Sequence, residues 1–303
     1  MSVNKKQRQA YIGLILLTSI IGLSAIFVKI GLRYTNPIDL LAHRFSAAAV
    51  SILLLWLVGI VKFPVFNFKK IRGVLLLSLS YPLSFFALQT YGLQHSSASE
   101  AGIIFASTPI LTLVAAGFFL KERTGFMQKV GIVLSISGIL YIIYFTGGVS
   151  GSTTLKGLLL LVASVFVMVL YYVLGKHISS KFSAMEITAV MTMLAFVVFN
   201  SFSIVYHLKN GTLNLFFQPL VYKEFLWTVF YLGVLSSMFT AFLTNFALSQ
   251  IPASQVGVFN NISPLISVLG GVIILDERLY FYHIIGGLLV LTGVIMTIYF
   301  KRK

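Results

Sequence analysis

Residues 98–145 read ASEAGIIFASTPILTLVAAGFFLKERTGFMQKVGIVLSISGILYIIYF, and residues 253–300 read ASQVGVFNNISPLISVLGGVIILDERLYFYHIIGGLLVLTGVIMTIYF. The two stretches align at a constant offset of 155 residues without a gap, and 14 of their 48 positions are identical. Chance matches between two apolar segments fall on Leu or Ile. The identical positions here include a proline, a Glu-Arg dipeptide and several glycines. The matched residues are Pro109 with Pro264, Glu122-Arg123 with Glu277-Arg278, and Gly102, Gly131 and Gly138 with Gly257, Gly286 and Gly293. The sequence is therefore a tandem duplication.

The composition is that of an integral membrane protein. Charged residues make up 10% of the 303 residues, hydrophobic residues make up 58%, and the mean hydropathy is +0.97. A soluble globular chain carries about 25% charged residues. With so few charges the chain cannot cover its surface with water-facing groups, so most of that surface must face hydrocarbon.

The net charge of +15 does not indicate a nucleic-acid partner. The basic residues stand in short clusters between apolar runs, which is the pattern that sets orientation in a bilayer, rather than in one patch. We therefore expect the lipid bilayer as a partner and no nucleic acid. The chain has no cysteine, which excludes disulfides and thiolate metal sites.

Ten apolar runs are long enough to cross a bilayer. The first is longer than the apolar region of a signal peptide and lacks a clear cleavage site, which favours a membrane span. The runs are continuously apolar rather than alternating, so we predict helices and not a barrel. They cover about residues 11–30, 38–61, 73–93, 98–120, 126–145, 157–175, 184–206, 225–248, 253–275 and 280–300.

The basic residues predict the orientation of the chain. With a cytoplasmic N-terminus, 15 of the 22 Lys and Arg residues fall in inner segments and six in outer ones, and Arg44 lies inside the second span. Inner loops carry the excess of positive charge in most membrane proteins. The prediction is a multi-pass protein of the cell membrane with both termini in the cytoplasm.

A polar stretch divides the chain into two halves of five spans each. We predict a first repeat over residues 1–146, a loop over 147–156 and a second repeat over 157–303. Because each half holds an odd number of spans, the second half must enter the membrane inverted. The pairs Glu122-Arg123 and Glu277-Arg278 then lie on opposite faces. The predicted fold class is an all-α membrane protein of ten helices in two inverted five-helix repeats, an arrangement common among secondary transporters.

The mid-helix proline, the Glu-Arg turn and the glycine-spaced helix, each present once per half, resemble the EamA branch of the drug/metabolite transporter superfamily. The resemblance covers essentially the whole chain, and Lys29 and Arg44 also stand where the family commonly carries basic residues. It implies a permease with a central cavity that opens alternately to each side. It also implies that the substrates are amino acids or related small metabolites, often exported.

Pro109 and Pro264 lie near the middle of the fourth and ninth spans. Each removes a backbone donor and leaves a carbonyl free one turn earlier. We predict that the duplicated prolines act as hinges, the alternative being kinks that neighbouring groups satisfy. For the two Glu-Arg pairs we favour a structural role, in which the carboxylate caps the next helix and the arginine meets lipid phosphate.

Polar side chains inside apolar spans are costly and usually face an interior or water. Here they combine hydroxyl and amide groups, which suit a small solute with both apolar and hydrogen-bonding parts. Any one of them alone fits an interhelical hydrogen bond equally well. The predicted substrate-binding residues of this type are Tyr81, Gln89, Tyr171, Tyr231, Asn245 and Asn260.

Three charged residues near the outer ends of the first, second and fourth spans complete the predicted site: Lys29, Arg44 and Glu100. At one depth they can pair across the cavity mouth or hold a substrate carboxylate. The alternatives are snorkelling by the two cations and helix capping by Glu100. Asp39 in the neighbouring loop is expected to be solvated.

Other classes of protein fit the sequence less well. All seven acidic residues fall at span ends or in loops, which disfavours a proton-driven carrier of cationic drugs. The chain has no His-Glu-x-x-His motif and its histidines are scattered, so we predict no enzyme, no metal and no cofactor. We expect an exporter that works as a monomer or homodimer, with a lipid-handling or sensor protein as the alternative.

Overall fold

The computed structural model describes residues 5–59, 68–120, 125–146, 154–178, 182–251, 256 and 262–299, and over these residues it is almost entirely helical. In chain order the helices are α1 (Lys5–Gly31), α2 (Pro37–Leu57), α3 (Phe68–Ser78), α4 (Phe85–Gln94), α5 (Ala98–Phe105), α6 (Thr108–Leu120), α7 (Phe126–Thr146), α8 (Leu155–Ile178), α9 (Ala184–Asn210), α10 (Leu213–Phe217), α11 (Lys223–Phe230), α12 (Thr240–Gln250), α13 (Ile262–Leu275) and α14 (Phe281–Tyr299). A π-helical stretch, Leu79–Ser84, joins α3 to α4, and a second, Tyr231–Phe239, joins α11 to α12. A short 3₁₀ turn, Gln218–Val221, follows α10.

Apart from the short α10, these helices form ten helical segments that correspond to the ten predicted spans. Segments 1 and 2 are α1 and α2, segment 3 is α3 with α4, and segment 4 is α5 with α6. Segments 5, 6 and 7 are α7, α8 and α9, segment 8 is α11 with α12, and segments 9 and 10 are α13 and α14. In the described residues, eight of the segments are long and apolar enough to cross a membrane, while Ser263–Leu275 and Phe281–Met296 are shorter apolar helices. The predicted all-α membrane fold is confirmed, and the count of ten spans is compatible with these helices.

Side-chain caps fix where several helices begin. Asn36 accepts hydrogen bonds from the amides of Ile38 and Asp39 and starts α2. Ser97 and Ser183 each form a capping box with a glutamate three residues later, which satisfies amides that the first helical turn leaves free. At the other end of α9, Gly211 adopts the left-handed conformation (φ 64°) that ends a helix with least strain for a residue without a Cβ.

The surface is apolar, unlike that of a soluble protein, and the interior combines apolar packing with many polar side chains. Large apolar side chains such as Leu57, Phe202 and Ile273 are exposed by 64–74%. Many buried side chains are polar, including Ser164, Thr188 and Asn245, which have no exposed surface. Such an arrangement suits hydrocarbon outside and a hydrogen-bonded interior.

The main contacts between segments relate the two halves to each other. Segment 2 packs on segment 7, segment 4 on segment 9, and segment 5 on segment 10. The contact of segment 1 with segment 8 is matched by that of segment 6 with segment 3, and the contact of segment 1 with segment 9 is matched by that of segment 6 with segment 4. Exchanging the halves leaves these contacts in place, which is the pattern of two repeats related by a pseudo-two-fold axis.

Glycines bring segments 5 and 10 together. A Cβ atom on Gly138 would lie 2.6 Å from the carbonyl oxygen of Gly286, and one on Gly293 would overlap the carbonyl oxygen of Gly131. Small residues let helix backbones approach each other closely and gain van der Waals contact. In a membrane this contact is important, because the hydrophobic effect does not drive helices out of lipid and against each other.

Candidate substrate site

A central cavity lies where segments 1, 3, 4, 6 and 9 meet. Its volume is about 50 Å³, room for a few water molecules. Both halves of the chain contribute to its wall, and two residues predicted from the sequence, Gln89 and Pro264, are part of it. The wall is formed by Ile21, Ala25, Phe85, Gln89, Gly102, Phe105, Thr108, Met168, Tyr172, Ser263, Pro264 and Ser267.

Gln89 presents an unused acceptor at this cavity. The side chain is 5% exposed, and its Oε1 atom has no hydrogen-bond partner in the described residues. The hydroxyl of the next residue, Thr90, is buried and likewise unpartnered. Buried polar atoms without partners are rare in folded proteins and often mark the place of a ligand or water.

Arg44 is a second unusual group, and it lies wholly inside the protein. It is 1% exposed. Its Nε donates to the Ser237 hydroxyl at 2.6 Å, and its Nη2 donates to the Ser236 hydroxyl at 3.1 Å. The carbon at the centre of the guanidinium lies 3.8 Å from the centroid of the Phe86 ring, a cation–π contact. The remaining nitrogen, Nη1, is buried and has no hydrogen-bond partner among the described groups.

No carboxylate in the described part of the chain forms an ion pair with Arg44. Five of the acids make hydrogen bonds elsewhere. Asp39 bonds Ser203 and His207, Glu100 bonds Ser97 and His283, Glu186 bonds Ser183, Glu224 bonds Tyr34, and Glu277 bonds Ala98 and Ser99. A sixth, Asp276, is exposed.

A layer of aromatic rings separates Arg44 from the cavity. Phe86, against the guanidinium, makes an edge contact with Phe85 at 5.0 Å between ring centroids, and Phe85 lines the cavity. Tyr81 contacts both phenylalanines and stacks on Tyr171 with centroids 4.6 Å apart. Arg44 is thus one side-chain layer behind the cavity wall.

Two predicted residues bond to each other deep in the protein. The Tyr171 hydroxyl donates to Asn245 Oδ1 at 2.8 Å, and Asn245 Nδ2 donates to the Thr188 hydroxyl at 3.1 Å. A third, Tyr231, donates to the carbonyl of Ile20 at 2.8 Å and stacks on Phe27. In this conformation these polar groups satisfy one another across helices.

Lys29 and Glu100 lie at a different junction from Arg44. Lys29 Nζ donates to the carbonyl oxygens of Leu93 and Ser96, at the end of α4. Glu100 Oε2 accepts from Ser97, at the start of α5, and its Oε1 lies 3.2 Å from His283 Nε2. The cation therefore meets a helix C-terminus and the anion a helix N-terminus, as the helix dipoles favour.

Both predicted hinge prolines stand in the first turn of a helix. Segment 4 breaks between α5 and α6, and Pro109 is the second residue of α6. Pro109 cannot donate to the carbonyl of Phe105, and the Thr108 hydroxyl donates to that oxygen instead, at 2.6 Å. Pro264 is the third residue of α13. Asn260, the remaining predicted substrate-binding residue, lies outside the described residues.

The expectation that Asp39 is solvated is wrong. Asp39 is 1% exposed, accepts from the Ser203 hydroxyl at 2.6 Å and lies 2.9 Å from His207 Nε2. Segment 7 covers the start of segment 2, a packing that local sequence cannot reveal.

Outside the membrane segments, a hydrogen bond from the Tyr34 hydroxyl to Glu224 raises the pKa of Tyr34.

Similarity to known proteins agrees with this architecture. The model of the EamA-like transporter family matches residues 8–144 and again 155–299. The uncharacterized transporter YcxC of Bacillus subtilis (strain 168) is 40% identical over 97% of this chain and 94% of the relative, and YetK of the same organism, also an uncharacterized transporter, is 26% identical over 99% and 89%. A crystal structure of a protein that is 17% identical matches 98% of this chain and 99% of that chain with a TM-score of 0.64, which shows a shared fold. The chain is a multi-pass membrane protein and belongs to the EamA-like transporter family, with one family domain in each half.

Proposed function

We propose that this protein is a secondary transporter, not an enzyme, that exports amino acids or related small metabolites by alternating access. The observation that supports this most directly is the cavity lined by both family domains, with an acceptor in its wall that has no partner among the described residues. The transporter relatives support the general class. Binding sites of secondary transporters lie where the two repeats meet, which is the position of this cavity.

The proposed movement is a rocking of the two halves, residues 1–146 and 157–303, about the cavity. Pro264 lies in the wall of the cavity, and Pro109 lies where segment 4 breaks. We propose that Pro109 acts as a hinge because the run of helical hydrogen bonds is already interrupted beside it, and that the matched Pro264 acts as its counterpart in the other half. The inverted arrangement, with both termini in the cytoplasm of the cell, follows from the distribution of basic residues.

The proposed substrate contacts remain the residues predicted from sequence. They differ in how far they lie from the cavity. Gln89 lies in the wall of the cavity. Tyr81, Tyr171 and Arg44 lie one layer behind, and Tyr231 and Asn245 bond across helices. Lys29 and Glu100 are proposed to act at the mouth of the pathway, since they tie segments 1, 3, 4 and 10 together.

Proteoliposomes containing the purified full-length protein test the proposal. Vesicles are preloaded with single unlabelled amino acids, and the exchange of labelled amino acids is compared with that of protein-free vesicles. We expect saturable exchange for some members of the panel. Absence of flux for every solute class would overturn the transporter proposal, and movement of fluorescent lipid without solute flux would favour a lipid-handling role.

Two variants test the mouth of the pathway. We expect Glu100→Gln and Lys29→Met to lower exchange while the amount of protein in the membrane stays the same. Full exchange in both variants would reduce these residues to helix caps.

A further inference from the structure

We infer that the hydrogen bond between Glu100 and His283 closes the outer end of the cavity, and that it makes this end harder to open than the cytoplasmic end. The protein at rest then opens toward the cytoplasm, the side from which an exporter takes its solute. This inference rests on the proposed transport function and adds to it one gate contact and the side that opens more easily. It is drawn from the geometry of the contact and from the residues that stand in its place at the 155-residue offset.

The contact joins the two halves through a buried, charge-assisted hydrogen bond. Glu100 is in the first turn of α5 and His283 is in the first turn of α14, and their side chains are 1% and 4% exposed. Nδ1 of His283 accepts from the Tyr280 amide at 3.2 Å, so the ring hydrogen is on Nε2, which donates to Glu100 Oε1, also at 3.2 Å. A hydrogen bond to an ionised carboxylate is about twice as strong as one between neutral groups.

This bond fastens a helix that lines the cavity. Gly102 and Phe105 follow Glu100 in α5, and both are in the cavity wall. Segments 4 and 10 begin on the same side of the membrane, because both are even-numbered in a chain of ten spans, and the basic residues predict that this side is outside. If α5 moves away from the second half at its outer end, the bond between Glu100 and His283 must break.

A second contact holds the same end of α5, and the sequence repeats it at the other end of the cavity. Glu277 accepts from the amides of Ala98 and Ser99. At the offset, Glu122 matches Glu277 and Ser254 matches Ser99, although both of these residues lie outside the described residues. Because the residue types are the same in both halves, this contact gives no reason for the two ends to differ.

The contact between Glu100 and His283 is not repeated in this way. At the offset, Gln255 stands in place of Glu100 and Gln128 stands in place of His283. Gln255 lies outside the described residues. Both counterparts are amides without charge, so a hydrogen bond between them would be of the weaker, neutral kind.

The structure supports the correspondence between Gln128 and His283. Oε1 of Gln128 accepts from the Gly125 amide at 2.9 Å, as Nδ1 of His283 accepts from the Tyr280 amide. Gly125 and Tyr280 are themselves 155 residues apart. The two side chains therefore hold equivalent positions at the starts of α7 and α14, and only one of them is paired with a carboxylate from the other half in the described residues.

Unequal contacts at the two ends give unequal populations of the two open conformations. In an inverted repeat, matched residues lie at opposite ends of the pathway. With equal contacts, neither opening would be favoured by these residues. The charge-assisted bond stabilises the conformation in which the outer end is closed, and it shifts the population toward opening on the cytoplasmic side.

The test measures access to the cavity from each side and needs no solute. Met168→Cys places the only thiol of the full-length chain in the cavity wall, and a membrane-impermeant thiol reagent is applied to intact cells and to inverted vesicles. We expect faster labelling in inverted vesicles. Glu100→Gln with His283→Gln gives the outer end the amides of the inner end and should speed labelling in cells about tenfold, the difference between a charge-assisted and a neutral hydrogen bond. Glu100→Gln alone should produce most of this change.

The reverse exchange asks whether the pair itself decides which end stays closed. Gln128→His with Gln255→Glu places the charged pair at the inner end and should slow labelling in inverted vesicles. With all four changes together, faster labelling should move from inverted vesicles to cells. Glu186→Gln removes a carboxylate that caps its own helix and is the matched control, with both labelling rates unchanged.

The outcomes separate the inference from the proposed function. An unchanged labelling rate in cells for Glu100→Gln with His283→Gln would overturn the inference and leave the transport proposal standing. Faster labelling from both sides would also overturn it, because the pair would then stabilise the whole fold and not one end of the cavity. A rise in inverted vesicles alone would place the contact at the cytoplasmic end, against the inference. If labelling follows the expectation but the protein carries no solute, the gate contact stands and the proposed function fails.

Discussion

Glu277 caps the helix that begins at Ala98, although the two residues belong to different halves of the chain. Its Oε1 accepts from the Ala98 amide at 2.7 Å, and its Oε2 accepts from the amide and the hydroxyl of Ser99 at 2.9 and 2.6 Å. A carboxylate at this position meets both the free amides and the positive end of the helix dipole. The turn after segment 9 is thereby fastened to the start of segment 4.

Loss of this carboxylate should loosen the contact between the halves. Glu277→Gln keeps the shape of the side chain but turns a charge-assisted cap into a neutral one, and we expect it to cost about 1 kcal/mol of stability, measured by thermal denaturation in detergent. Gly271→Ala should act in the same direction, because its new methyl group would overlap the Glu277 carboxylate and lie 2.6 Å from the Ser99 hydroxyl.

The accessibility of the cavity shows whether Glu277 acts as a latch, that is, whether its bonds to Ala98 and Ser99 hold the two halves together and keep the cavity inaccessible. A simple helix cap would not affect access. The chain has no cysteine, so Met168→Cys places a single thiol in the cavity wall. We expect a membrane-impermeant maleimide to label it faster when Glu277→Gln is also present. Glu186→Gln removes a carboxylate that caps its own helix and is the matched control. Equal labelling rates in all three proteins would contradict a latch.

A single methyl group should separate segments 5 and 10. Gly293→Ala would overlap the Gly131 carbonyl and lie 2.8 Å from the Ser135 amide nitrogen, both of them backbone atoms that cannot swing away. Overpacking of this kind costs about 1–3 kcal/mol, so we expect a lower denaturation temperature. Gly287→Ala lies in the same helix, where the nearest neighbour is 3.8 Å away, and should have little effect. A stable Gly293→Ala protein would show that these helices are not in tight contact.

Beside the break in segment 4, the Thr108 hydroxyl donates to the Phe105 carbonyl, which Pro109 cannot reach with an amide. Thr108→Val removes the donor that replaces the missing Pro109 amide and leaves the partly buried Phe105 carbonyl without it, at a cost of about 1 kcal/mol. In the Pro109→Ala background a backbone amide is available again, so the same change should cost less. A double-mutant cycle of denaturation temperatures measures the difference. Equal costs in both backgrounds would mean that the hydroxyl does not compensate for the proline.

Features that repeat along the chain were predictable, and features that depend on tertiary neighbours were not. The 155-residue offset predicts two equivalent halves, and the family matches at 8–144 and 155–299 confirm the duplication. The matched Glu-Arg turns predict that the Glu277 carboxylate caps the next helix, and this is wrong, because the carboxylate caps α5 in the other half of the chain. Which helix it caps depends on how the halves meet, and no spacing within one half contains that information.

Arg44 and Asp39 show the same limit for polar residues. The sequence places both near the outer end of the second span, where a cation can reach the headgroups and an acid can reach water. In the structure segments 7 and 8 cover them, so Asp39 bonds Ser203 and His207 while Arg44 bonds Ser236 and Ser237. Because these partners are more than 160 residues away in the chain, only the packed structure reveals that the charges are buried.

The inverted arrangement can be tested with the two Glu-Arg turns themselves. Arg123 lies outside the described residues, and Arg278 is exposed after segment 9. If each half crosses the membrane five times, these matched arginines lie on opposite faces, Arg123 inside and Arg278 outside. Single cysteines, Arg123→Cys and Arg278→Cys, are introduced into the cysteine-free chain and labelled with an impermeant maleimide on intact cells and on inverted vesicles. We expect Arg278→Cys to react in cells and Arg123→Cys only in inverted vesicles. If both cysteine variants reacted from the same side, the two halves would be parallel. Alternating access by two inverted repeats would then be wrong, because the two ends of the cavity would no longer be equivalent.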